Sequence, residues 1–159
     1  MKEIIDRRKL KNRAVRFLFQ KAQKMCLEYF KNDYEYSPAE AIEELGVDIE
    51  LVDHLVDDYV IQIIKSDALF REHLETLKNA KLNNETLNYI PFRELAHKNL
   101  GVARNLRIKD SAQVLEDLLK KDDLAYLENS LEILKACAIK LNPVSAYDAL
   151  YLIQVKSSF

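Results

Sequence analysis

Only two glycines, Gly46 and Gly101, and three prolines, Pro38, Pro91 and Pro143, interrupt the 159 residues of this chain. Strands must be joined by frequent turns, and turns draw on those residues, so such a chain is constrained to long helices. The apolar pattern agrees. Leu10, Ala14, Phe17, Leu18, Ala22, Met25 and Tyr29 recur in steps of three and four, which is one face of a helix. Val15, Phe19, Cys26 and Phe30 widen the stripe. The pattern predicts a first helix over residues 5–31, with a face broad enough to pack on a body rather than on one partner helix.

Cap signals divide the remainder. Ser37-Pro38-Ala39-Glu40 has the order of a capping box and opens a short helix that ends at Gly46. Asp48 is placed to cap a long helix with Ile49, Val52, Val56, Tyr59 or Val60, and Ile63 on one face, and Ser66-Asp67 is a candidate break within it. Asn83-Asn84 reads as a turn, and Pro91 starts or kinks a helix reaching about Ile108. Asp110 is the expected cap of a helix over 111–121, Asp122-Asp123 joins it to another over 124–141, and Asn142-Pro143 opens a last one over 143–155. With connections this short, the expectation is a single all-α domain, an antiparallel up-and-down bundle.

Charge and cysteine usage exclude several classes. The net charge of −2 conceals a basic start: residues 1–31 carry ten basic and three acidic side chains, while the rest of the chain is acidic. No stretch is long and apolar enough to span a bilayer, and Met1-Lys2-Glu3 is charged where a signal peptide needs an apolar run. Cys26 and Cys137, with no CxxC or CxxH spacing, are expected to be buried, reduced thiols, which points to a cytoplasmic location. Arg7, Arg8, Lys11 and Lys24 are the cations a nucleic-acid reading would use. The acidic body and the lack of a helix-turn-helix glycine disfavour that reading.

Among His54, His73 and His97, the first two lie in charged stretches that read as solvated helix surface. The third differs. Phe92, Leu95 or Ala96, Ala103 and Leu106 should face the core, which turns His97 outward with Arg93, Glu94, Leu100 and Gly101 as its neighbours at three- and four-residue steps. Arg104 follows on the same stripe. Gly101 sits in mid-helix, where glycine costs about 1 kcal/mol relative to alanine, and its position suggests room for a partner's backbone. Glu94-Leu95-Ala96-His97 also matches the Glu-x-x-His of di-iron bundles. His54 and His73 are preceded three positions earlier by Leu51 and Phe70, so half of that ligand set is missing and no metal site is expected.

The stretch Ala96-His97-Lys98-Asn99-Leu100-Gly101-Val102-Ala103 resembles the phosphoacceptor motif of histidine-containing phosphotransfer (HPt) domains, Ala-His-x-Leu-Lys-Gly followed by a small and then an apolar residue. Ser37 to Tyr59 is similar to the family's opening, and Leu115 to Leu118, Lys121-Asp122-Asp123 and Leu131 to Leu141 to its last two helices. The resemblance covers residues 37–141. It implies a four-helix bundle to which residues 1–36 add a basic amphipathic helix and residues 143–159 a C-terminal helix. His97 is then the phosphoacceptor, the partner is a response-regulator receiver domain, a histidine kinase or both, and the chain is a phosphocarrier with no cofactor of its own. The receiver would bring the aspartate and the Mg²⁺.

Two positions depart from the motif: Asn99 stands where the family has leucine, and Leu100 where it has lysine. An inward Asn99 needs hydrogen-bond partners to avoid a penalty of about 1–3 kcal/mol. Lys98 lies about 100° round the helix from the histidine, Arg93 and Arg104 are the cations on its stripe, Leu100 offers an apolar docking contact, and Glu94 is placed to hold the second ring nitrogen. The same departures motivate a rival: an HPt-like adaptor that docks a receiver or kinase without carrying phosphate. In either case the first helix is available for dimerisation or partner contact.

Overall fold

The computed structural model describes residues 6–157, and the side chains of 6–156. Residues 1–5 and 158–159 of the expectations above lie outside the described residues. Seven helices follow in order: α1 (Arg7–Phe30), α2 (Ala39–Leu45), α3 (Ile49–Leu82), α4 (Ile90–Asn105), α5 (Lys109–Lys120), α6 (Leu124–Leu141) and α7 (Pro143–Ser157). No strand occurs among the described residues. The protein is all-α.

Several boundaries form as the caps predict. Asp48 accepts from the Leu51 amide at 2.9 Å, and Asp123 from the Ala125 and Tyr126 amides at 3.0 and 3.3 Å. Gly46 ends α2 at φ 65°, and Asn84 turns at φ 55°. Asn142 accepts from the Ser145 amide at 3.2 Å and opens α7.

Others differ, each for a visible reason. Ser37 accepts only a long 3.4 Å bond from Ala39, and Glu40 turns away to pair with Lys109 at 3.1 Å, so the capping box does not form and Pro38 is itself the cap residue. The Ser66-Asp67 break is absent, because neither side chain competes for backbone groups. The Ser66 hydroxyl accepts from Gln62, and Asp67 holds Arg71 at 3.2 Å. Helix α4 stops at Asn105 rather than near Ile108. Arg107 turns left-handed at φ 59°, its amide bonds the Arg104 carbonyl at 3.1 Å, and the Ile108 amide bonds the Ala103 carbonyl at 2.9 Å. That pair of bonds is a Schellman motif, and the buried Ile108 and Ala103 supply its apolar contact. Asp110 lies inside the first turn of α5 instead of capping it, and is buried.

Packing runs round a ring. Helix α3 touches α4, α4 touches α5, α5 touches α6, and α6 touches α3. Their shared core holds Tyr59, Ile63, Phe70, Phe92, Leu115 and Leu131. Helix α1 packs on α6 and α7, and α7 also on α3. The stripe of α1 is only half used. Ala22 and Cys26 are buried and Leu18, Met25 and Tyr29 partly so, while Leu10 and Phe17 stay in solvent, Phe17 at 68% exposure.

Candidate functional site

Helix α4 starts without a side-chain cap on its first residues beyond the 3.1 Å bond that Asn88 accepts from Ile90, and Pro91 falls in its first turn, where a missing amide proton is harmless. Phe92, Ala96, Asn99, Leu100 and Ala103 face inward. His97 therefore projects outward from the middle of the helix. It is exposed and has no hydrogen-bond or ion-pair partner among the described residues. Glu94, one turn earlier, is also exposed and does not hold the imidazole. The ring is free to rotate and to present either nitrogen.

The space beside it is open. A Cβ built on Gly101 meets nothing within 4 Å, so no contact inside the protein requires glycine there. Replacing it should relieve the helix of its most flexible residue. Gly101→Ala is expected to stabilise the fold by about 0.5–1 kcal/mol, read as a higher midpoint in thermal unfolding. A lower midpoint would show that alanine meets an obstacle there.

The cations on the stripe are engaged. The Arg93 guanidinium lies over the Tyr89 ring at 4.5 Å and pairs with Asp122 at 2.5 Å, fastening α4 to the α5–α6 junction. Arg104 pairs with Glu116 of α5 at 2.9 Å. Both pairs are partly exposed, and pairs of that kind contribute only about 0.2–1 kcal/mol, so either arginine can be released at small cost. Lys98 is exposed and has no ion-pair partner among the described residues.

Asn99 behaves as an inward polar residue must. Its side-chain amide donates to the Ser66 hydroxyl at 3.3 Å and to the Leu95 carbonyl at 3.0 Å, so its burial is accommodated. Leu100 is a correction. It is 1% exposed and belongs to the core, and so offers nothing to a docking partner. Because α4 packs against both α3 and α5, more than one side of the helix is covered, and Leu100 falls within that wider face. An apolar residue that does reach the surface beside Gly101 is Val102, 40% exposed.

Val102 and Lys98 share a groove of about 430 Å³ between α3 and α4, with Leu55, Asp58, Gln62 and Leu106 among its walls. This groove runs alongside the His97–Gly101 stripe and was not foreseen. The signal for it was faint: Val102 is an apolar residue off the core stripe, which by itself is unremarkable.

His54 is exposed beside Asp58 at 3.7 Å, and His73 is half-buried. Among the described residues no group of three or more His, Cys, Asp or Glu side chains is placed to hold a metal ion, and no helix is long and apolar enough to cross a membrane. Of the cations on α1, only Lys11 makes an ion pair among the described residues, with Asp148 of α7 at 2.7 Å. Comparisons with protein-family models, with curated proteins and with solved structures found no match.

Proposed function

We propose that the protein is a cytoplasmic histidine phosphotransfer protein that relays a phosphoryl group between His97 and the aspartate of a receiver domain. The observation that carries this reading is the imidazole itself, exposed in mid-helix, unpartnered among the described residues, and one turn from a glycine with open space around it. In this reading the ring of α3, α4, α5 and α6 is the antiparallel four-helix bundle of the HPt family, with α1 and α7 as additions to a single domain. The chain is then a phosphocarrier, not an independent catalyst.

The chemistry asks little of the carrier. A neutral ring nitrogen attacks the phosphorus of a receiver's aspartyl phosphate in line, the P–O bond to the carboxylate breaks, and the carboxylate leaves. The dianion left on His97 is met by Lys98 and by whichever of Arg93 and Arg104 exchanges its carboxylate for it.

One set of observations favours the adaptor reading instead. Both arginines are already paired, and Leu100 is sealed in the core where the family has a lysine. Incubation with a receiver phosphorylated on its aspartate separates the two. The relay reading expects transfer of acid-labile, base-stable phosphate that maps to His97 by peptide mass. Binding of the receiver without any transfer would establish the adaptor and end the relay.

A further inference from the structure

Cys26 and Cys137 are 111 positions apart, yet their sulfurs lie 3.9 Å apart across the contact between α1 and α6. Both are free, and each is 1% exposed. An S–H of one bonds the sulfur of the other, and either can be the donor. Two further features distinguish this contact from ordinary core packing. A pocket of about 270 Å³, lined by Phe19, Gln23, Tyr34, Asp110, Cys137 and Lys140 among others, reaches the Cys137 side of the pair from the surface. Ionisable groups also crowd the pair. Asp110 lies beside Cys137, and its carboxyl is pushed above its usual range by burial. The hydrogen bond that Cys137 donates pulls the Cys26 thiol below its ordinary value, and the same bond, with burial, holds the Cys137 proton in place and pushes that thiol well above its own.

We propose that Cys26 and Cys137 are a redox-reactive dithiol that a hydroperoxide converts to an intramolecular disulfide, tying α1 covalently to α6. The pocket admits the small oxidant beside Cys137, and the sulfur on which the S–H···S contact favours a thiolate, that of Cys26, lies 3.9 Å away. The Cys26 thiolate attacks the O–O bond, which breaks to give a sulfenic acid on Cys26 and one molecule of water or alcohol, the departing oxygen taking up the proton that Cys26 lost. The Cys137 sulfur then attacks the Cys26 sulfur, the S–O bond breaks, and the oxygen leaves as water with the Cys137 proton. The hydroperoxide is reduced by two electrons and the pair of sulfurs oxidised by two. Closure brings the two sulfurs from 3.9 Å to a disulfide length of about 2.05 Å.

This inference does not rest on the phosphotransfer reading. Its test is the reduced full-length chain treated with hydrogen peroxide, followed by alkylation under denaturing conditions and intact mass. The expected result is a monomer about 2 Da lighter with no alkylatable thiol, a Cys26–Cys137 cross-linked peptide on digestion, a raised thermal midpoint, and full reversal by a thiol reductant. Cys26→Ala should keep one alkylatable thiol, Cys137→Ala should stop at oxygen addition on Cys26, and neither should form the lighter species. Two alkylated cysteines after treatment would overturn the proposal. So would oxygen addition without loss of hydrogen, or a disulfide only between chains.

Discussion

His97→Gln is expected to abolish phosphoryl transfer from a phosphorylated receiver entirely, with no change in helix content and a stability change within about 0.5 kcal/mol. The two halves of that result have separate causes. Glutamine keeps polar volume and helix propensity at a position where the native side chain touches no partner among the described residues, so the fold has nothing to lose. It has no nucleophilic ring nitrogen, so the carrier has nothing to accept with. Radiolabel from the receiver, quantified after acid and base treatment, reads the first half, and circular dichroism with thermal unfolding reads the second. A mutant that still takes up acid-labile phosphate would remove His97 from the mechanism, and His54 and His73 would be the next residues to map.

Much of this architecture is legible in the chain because local physics decides it. Asp48, Asp123 and Asn142 cap helices through bonds to amides two or three residues ahead, and Gly46 and Asn84 turn left-handed where the pattern asks for a stop. The outward direction of His97 is also local, since it follows from Phe92, Ala96 and Ala103 facing inward on the same helix. What escaped depends on which other helix arrives. Leu100 lies at the edge of the stripe, and only the packing of α4 against two neighbours places it inside. Glu40 satisfies the capping-box spacing, yet Lys109, far along the chain, is the stronger attraction. Asp110 has the look of a cap but is drawn into the core against Cys137. The contact between Cys26 and Cys137 has no trace in a spacing of 111 residues. Departures from the motif that the sequence resembles can be judged only at this level: Asn99 is harmless because Ser66 meets it, and with Leu100 in the core the nearby cation free of an ion pair among the described residues is Lys98.

The largest effect on stability is expected from Phe92→Ala. Phe92 is fully buried on α4 and meets the fully buried Phe70 of α3 edge to face, with centroids 5.2 Å apart and planes at 62°. Truncation removes the ring from water-free packing, leaves a cavity that rigid helices cannot close, and ends the aromatic contact, for a loss of about 3–5 kcal/mol. A domain of this kind holds roughly 5–15 kcal/mol in all, so the variant would sit near the limit of folding, with a midpoint lowered by about 10 °C or more. Chemical denaturation followed by helix signal measures the loss, and a change below about 1 kcal/mol would show that α4 is not held to α3 through this pair. The functional arm makes the variant informative about the site as well. Phe92 lies five residues before His97 and about 140° round the helix, so it cannot touch the imidazole or a docked receiver. Below its lowered midpoint the variant should still accept phosphate, which separates the residue that holds α4 in place from the residue that would carry the phosphoryl group.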